Sequence, residues 1–125
     1  MTRFLLVCGA GAVGTGVRYL VGLAVATRVS TTFPVATLMV NVIGCFLIAL
    51  VVQLALSVPS FSDHARVALT TGFMGGLTTY SAFNQDATRM LVDGAPRTGA
   101  LYVTATLLAC FVAGLAGTAL ARRLV

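Results

Sequence analysis

The sequence predicts an all-α membrane protein with four transmembrane helices, and two observations carry that prediction. Of its 125 residues, 58% are hydrophobic and only 9% are charged, and the mean hydropathy is +1.00. A soluble domain usually has about a quarter of its residues charged. The apolar residues also fall into four runs, each near the roughly 20 residues that cross a bilayer. We therefore expect a multi-pass protein in contact with the lipid bilayer, with residues 1–125 forming a single four-helix domain.

The first helix is predicted over Phe4–Ala26 and the second over Val35–Leu56. The first run continues well beyond the 7–15 apolar residues of a signal peptide, so we interpret it as a retained helix. Its G-x-G-x-x-G stretch, Gly9–Gly14, follows no strand and therefore does not indicate a dinucleotide site. We expect four glycines of this helix to let neighbouring backbones approach closely: Gly11, Gly14, Gly16 and Gly22.

Each of these two helices carries a polar side chain deep in its apolar run. Arg18 lies in the first helix, where a buried arginine is costly. It is either a snorkelling or structurally paired residue, or a charge at a pore mouth. Asn41 lies in the middle of the second helix, where its amide must find hydrogen-bond partners. It either joins helices or donates its N–H groups to a permeating anion.

The third helix is predicted over Ala65–Leu91 and is the unusual one. Between residues 70 and 86 it has three glycines and five serine or threonine residues. Glycine weakens a helix, and hydroxyl side chains compete for its backbone hydrogen bonds. Irregular backbone in a membrane is tolerated only where it is buried in protein or lines a wet cavity. We therefore expect this segment to lie inside an assembly.

The fourth helix is predicted over Gly99–Leu120, and the third and fourth helices each carry a pair of residues at helical spacing. Tyr80 and Phe83 are three positions apart, and Tyr102 and Thr106 are four apart, so each pair shares a face. Aromatic rings carry a positive edge. The first pair is therefore either ordinary core packing or a set of ring edges that receive a small anion.

The charged residues exclude one class of partner and leave the orientation open. All eight basic residues are arginines, and they are scattered rather than clustered, so no nucleic acid is expected as a partner. The predicted topology puts four on one side and three on the other, a bias too small to set an orientation. Two copies inserted in opposite directions would pair antiparallel, whereas the alternative is a single orientation. The two sets are Arg3, Arg66, Arg122 and Arg123, and Arg28, Arg89 and Arg97.

The residues do not indicate an enzyme. Asp86 is the only acidic residue within a predicted span, and no Ser-His-Asp set, carboxylate pair or metal-ligand cluster is present. The three cysteines lie far apart in the sequence without metal-ligand spacing, and we interpret them as small core residues: Cys8, Cys45 and Cys110.

Three stretches of the chain, taken together, resemble the Fluc family of bacterial fluoride channels (CrcB-type). The first is Gly11–Tyr19, which contains the Arg18-Tyr19 pair. The second is Phe33–Leu47, with Asn41 and Gly44 within it. The third is Gly72–Phe83, similar to the family's Gly-Gly-x-Thr-Thr-Phe-Ser-Thr-Phe motif. The resemblance covers essentially the whole chain.

The resemblance implies passive export of cytoplasmic fluoride across the cell (inner) membrane, through two pores of an antiparallel, dual-topology dimer. The third helix would be broken mid-membrane, and the carbonyl groups of Gly75 and Thr78 from both subunits would hold a structural sodium ion. Arg18 and Asp86 would be pore-mouth or structural charges. The implied fluoride pathway consists of Asn41, Thr79, Tyr80, Ser81, Phe83, Tyr102 and Thr106.

One departure from the family motif and one rival function stay open at this stage. Tyr80 stands where the motif has its first phenylalanine, and a changed aromatic residue is also consistent with a heterodimer containing an unlike subunit. We prefer a homodimer. The rival is a small dual-topology multidrug cation/proton antiporter. That class needs a membrane carboxylate, for which Asp86 is the sole candidate.

Overall fold

The computed structural model describes every residue from Met1 to Val125 and contains no strand. Three of its helices, α1, α2 and α6, are long and apolar enough to cross a membrane. The third predicted span is instead divided into shorter pieces, because its backbone departs twice from α-helical geometry. In chain order the elements are α1 (Thr2–Ala26), α2 (Val35–Ser57), α3 (Asp63–Val67), a π-helical segment (Ala68–Met74), α4 (Gly75–Leu77), α5 (Tyr80–Val92) and α6 (Pro96–Leu124).

The helix ends lie close to the predicted ones, with the largest difference in α6. This helix begins at Pro96, three residues before the predicted start, with proline in its first turn. Proline suits this position because its missing N–H would be unpaired there in any case. The helix continues to Leu124, past the predicted end at Leu120.

Between α4 and α5 the backbone is extended at two consecutive threonines. Thr78 has φ −84° and ψ 156°, and Thr79 has φ −151° and ψ 111°. The Thr79 hydroxyl accepts a hydrogen bond from the Ala82 N–H at 3.1 Å, as an N-cap residue commonly does. Thr79 therefore ends the irregular stretch and begins α5.

The helices form two packed groups with α2 between them. α2 packs along α6, and α1 packs on the π-helical segment and α4. Glycines permit both approaches. A Cβ on Gly117 would collide with the Phe46 carbonyl of α2, and one on Gly14 would collide with the Phe73 carbonyl.

Two of the four α1 glycines lie against a neighbouring backbone, as predicted. For the other two the prediction is wrong within one chain. Gly11 and Gly14 face the backbone of the π-helical segment, whereas an added Cβ at Gly16 or Gly22 would meet no atom within 4 Å. The reason is that these two glycines face open space rather than a neighbouring backbone.

Little of the chain is buried within itself. Only 14 of the 125 residues are buried, and large apolar side chains on every long helix are exposed. Six of the buried apolar side chains form two small clusters, one of Val40, Met74 and Leu77 and one of Phe83, Ala87 and Tyr102. Since apolar surface is unfavourable in water, the exposed faces must be covered by lipid or by another protein chain.

Candidate functional site

The break between α4 and α5 is held by the side chain of Asn41. Its Nδ2 donates to the Thr79 carbonyl at 3.1 Å, and its Oδ1 accepts from the Thr79 N–H at 2.8 Å. The amide therefore satisfies both backbone groups of an extended residue, as a neighbouring strand would. Of the two interpretations of Asn41, the structure shows the helix-joining one. A second N–H of the amide is left over, because an amide nitrogen carries two.

Arg18 is paired with backbone at the same break. Its Nε donates to the Gly76 carbonyl at 3.0 Å, and the side chain is half-buried. The Thr15 hydroxyl approaches the same carbonyl at 3.5 Å. The last carbonyls of a helix have no partner in the helix itself, so Arg18 caps the end of α4. The structure therefore shows Arg18 as a structurally paired residue.

Gly75 and Thr78, the residues expected to hold sodium, lie on either side of this cap. The Thr78 carbonyl accepts no hydrogen bond within the chain. Gly75 is exposed, and an added Cβ there would meet no atom within 4 Å. The chain therefore presents backbone oxygen atoms at an open surface.

A cavity of about 380 Å³ lies beside the break, and it contains most of the expected fluoride pathway. Asn41, Thr79, Tyr80, Phe83 and Thr106 line it, and so do Gly75 and Thr78. Ser81 and Tyr102 do not. Ser81 is exposed, with its hydroxyl 3.1 Å from that of Thr79.

The four aromatic rings near the cavity form a continuous series. The centroids of Tyr80 and Phe83 are 5.6 Å apart, and those of Phe83 and Tyr102 are 5.3 Å apart. Phe33 completes the series with an edge-to-face contact to Tyr102 at 5.3 Å. Only Tyr80 projects outward, with 76% of its surface exposed. The helical spacing of Tyr80 and Phe83 thus produced a real contact, but with very different burial for the two rings.

Two hydroxyl groups next to this series are buried without any hydrogen-bond partner. They belong to Tyr102, which is fully buried, and Thr106, which is 4% exposed. Thr37, Thr106 and Asp86 lie within interaction range of the Tyr102 hydroxyl, but none meets the distance and angle of a hydrogen bond. Buried polar groups are nearly always paired in proteins. Unpaired ones therefore mark a place where a ligand, ion or water belongs.

Asp86 lies at the far end of this polar series. Its carboxylate accepts a hydrogen bond from the Thr37 hydroxyl at 3.0 Å. It also lines a second cavity of about 460 Å³ together with Arg89 and Asp93. A third cavity of about 130 Å³ is lined by Arg18, Thr37 and Thr79, so Thr79 borders it as well as the first cavity.

Sequence reasoning did not assign roles to Phe33 and Thr37, although both lie in a stretch that it singled out. The only indication in the sequence was their spacing, since Phe33 lies eight residues and Thr37 four residues before Asn41. Their partners, Tyr102 and Asp86, are 69 and 49 residues further along the chain. Only the packing of helices brings them together.

Comparison with known proteins assigns the chain to a family. Residues 5–118 match the family described as "CrcB-like protein, Camphor Resistance (CrcB)". A protein of Rhizobium meliloti is 42% identical over 125 residues, covering all of both chains. One of Anaeromyxobacter sp. (strain K) is 40% identical over 122 residues, which is 98% of this chain and 97% of the relative. Both relatives carry the name fluoride-specific ion channel FluC. The chain is a multi-pass membrane protein that belongs to the CrcB family.

Proposed function

We propose that this chain is a subunit of a fluoride-selective channel that lets cytoplasmic fluoride leave the cell passively across the inner membrane. The observation that carries the proposal is the pair of buried, unpartnered hydroxyls on Tyr102 and Thr106 beside the Phe83 ring. The names of the relatives point to the same ion.

Fluoride is small and strongly hydrated, so a narrow pore must replace its water with donors. The hydroxyls of Tyr102 and Thr106 are free to donate, because no group of the chain accepts from them. The remaining N–H of Asn41 and the positive edge of the Phe83 ring supply further favourable contacts. Each contact is weak enough to be exchanged for the next, as conduction requires.

The lining residues that the three cavities share support a route for the ion from the first cavity toward Asp86. The first contains Thr106 and Phe83. The third is reached at Thr79 and is bordered by Thr37. Thr37 bonds to Asp86, which opens into the second cavity beside Arg89. Arg18 and Arg89 would attract the anion to this end, and the Thr37 hydroxyl would offset the negative charge of Asp86.

We propose further that two copies pair antiparallel, in a dual-topology homodimer with two pores. The balance of arginines between the two sides of the membrane supports this arrangement. So does the exposure of Tyr80 and Gly75, since both border the first cavity and neither is covered by its own chain. A second copy would close the cavity over these residues.

A structural sodium ion fits the groups at this surface. Gly75 and Thr78 would contribute carbonyl oxygens, which are ligands suited to a hard cation. The Thr78 carbonyl accepts no hydrogen bond within the chain, and a symmetric partner would supply an equivalent pair of carbonyls. The ion would hold the two broken helices together.

Fluoride efflux from proteoliposomes loaded with potassium fluoride tests the proposal. We expect an electrogenic, fluoride-selective leak that needs the protein, and no comparable leak of chloride. A chain that releases both halides equally, or neither, is not a fluoride channel. The same preparation distinguishes the antiporter, which would exchange protons for cationic drugs through Asp86. No observation favours that rival, and the Asp86 carboxylate already accepts from Thr37.

A further inference from the structure

Two of the three cysteines meet in the wall of the first cavity. Cys45 of α2 and Cys110 of α6 both line it, both are half-buried, and their thiols are close enough to interact. They are 65 positions apart, so nothing in their spacing suggested a pair. Cys8 is exposed on α1 and does not line the cavity.

The backbone keeps the two cysteines in register. They lie on α2 and α6, which pack along each other. Gly117 packs directly on the Phe46 carbonyl, next to Cys45, and a Cβ on Gly114 would be 3.9 Å from the Cys45 carbonyl. Gly114 is one helical turn beyond Cys110. Close backbone contact therefore brings the two cysteines to neighbouring positions across the α2–α6 interface.

The surroundings of Cys45 and Cys110 favour a soft divalent cation as the ligand. No group of three or more histidine, cysteine or acidic residues is present, so the four-ligand site preferred by zinc is not formed. Ile48 and Leu107 are the apolar neighbours of the pair in the cavity. Thiolates favour soft cations, and a net charge is costly inside a membrane span. A divalent cation that accepts two thiolates in a linear arrangement leaves no net charge.

We propose that Cys45 and Cys110 form a two-thiolate binding site for a soft divalent cation, of which Hg²⁺ is the representative. Each thiol loses one proton when its sulfur binds the metal, so two protons are released and a neutral S–Hg–S bridge forms between α2 and α6. No electron is transferred.

The metal bridge should also affect fluoride transport, and this expectation rests on the proposed channel function. Thr106 lies one turn before Cys110 and lines the same cavity. A metal held between the thiols would occupy space beside the Thr106 hydroxyl and fix α2 against α6. Fluoride flux should therefore fall when the site is filled.

The binding test uses the C8A variant, in which only the two cavity cysteines remain. Mercuric chloride is added in steps to the detergent-solubilised protein, and free thiols are counted with a maleimide. We expect two thiols to disappear for each mercury ion bound. One thiol lost per mercury ion overturns the proposal, because each sulfur would then bind a separate ion.

Retention against a competitor gives a second readout. After washing with excess monothiol, wild-type protein and C8A should keep about one mercury ion per chain, whereas C45A and C110A should keep almost none. Equal retention by C45A and C110A also overturns the site.

Fluoride efflux then tests the consequence. Mercuric chloride should remove most of the flux of wild type and C8A, and leave the C45A/C110A double variant unaffected. Full fluoride flux with mercury bound would contradict the expected block of transport, but it would not contradict the two-thiolate site. The proposed function fails separately, if untreated protein gives no fluoride-selective leak.

Discussion

At the scale of single residues, the unpaired hydroxyls of Tyr102 and Thr106 are the most informative feature of the chain. A buried hydroxyl without a partner costs roughly 1–3 kcal/mol of stability. Threonine and tyrosine could be replaced by valine and phenylalanine without that cost. Their hydroxyls therefore mark a place where a water, an ion or another ligand from outside the chain belongs.

Substituting Thr106 by valine should separate function from stability. We expect T106V to lose fluoride flux, while its thermal stability in detergent stays equal to that of wild type or rises, because the lost hydroxyl has no partner in the chain. The control is T104V, which changes an exposed threonine on the same helix. A clear fall in stability for T106V would mean that its hydroxyl has a structural partner.

Asn41 combines a structural role with its candidate role in the pathway. Replacing it by leucine removes both hydrogen bonds to Thr79 and leaves that backbone unpaired. We expect N41L to be destabilised by about 1–3 kcal/mol, measured by thermal unfolding in detergent. N84L changes an exposed asparagine on α5 and should behave like wild type. Unchanged stability of N41L would show that the break does not depend on this amide.

At the scale of helices, glycines decide how closely the elements approach. Gly117 and Gly114 lie on the same helix, but only Gly117 packs directly on backbone of α2. Adding a methyl group to a tightly packed interface typically costs about 1–3 kcal/mol. The fold therefore depends on Gly117 for contact and on Gly114 much less.

The matched pair G117A and G114A tests this difference. We expect G117A to lower the unfolding temperature in detergent, because its Cβ would collide with the Phe46 carbonyl. G114A should be neutral or slightly stabilising, because its Cβ would make an ordinary 3.9 Å contact and alanine favours helix by about 1 kcal/mol. Equal effects of the two substitutions would contradict the proposed α2–α6 packing.

At the scale of the whole molecule, an ion-pair network joins the start of the chain to the start of the third span. Asp63 bonds to Arg3 of α1 at 2.6 Å and also to Arg66. The hydrogen bond from Arg66 holds the pKa of the Asp63 carboxyl below its usual value, and the charge of Arg3 acts in the same direction. Folding therefore favours the ionised carboxylate.

Because folding lowers the pKa of Asp63, the stability that this residue contributes falls as the pH falls. The contribution of Asp63 to stability is fully present above its ordinary pKa of about 4, and it is lost as the pH falls through the lowered value. We expect D63N to lower the unfolding temperature slightly at pH 7 and to make no difference once Asp63 is protonated. The effect is small because the pair is exposed. D93N, which breaks a local pair with Arg89, serves as the control, and a D63N effect that is independent of pH would rule out this origin.

The proposed dimer should depend on sodium. Because Gly75 and Thr78 would share an ion with their counterparts, exchanging sodium for a large organic cation should shift detergent-solubilised protein from dimer toward monomer. Size-exclusion chromatography with light scattering measures this shift. A dimer equally stable in both salts would remove the sodium site, and a monomer in both would remove the dimer.

The sequence by itself determined the membrane class, the approximate span limits and most of the residues that line the cavity beside the break. These properties are local: hydropathy over about 20 residues defines a span, and short motifs carried the family resemblance. It also indicated that the third span would be irregular, since glycines and hydroxyl residues weaken a helix wherever they lie.

Only the tertiary structure decided which groups have partners. Asn41 turned out to hold the Thr79 backbone, Arg18 to cap α4, and the Tyr102 and Thr106 hydroxyls to remain unpaired. Phe33 joined the aromatic series, and Cys45 met Cys110. Each of these facts involves residues dozens of positions apart. Their separation in space depends on how helices cross and how closely glycines let them approach, which no local pattern specifies.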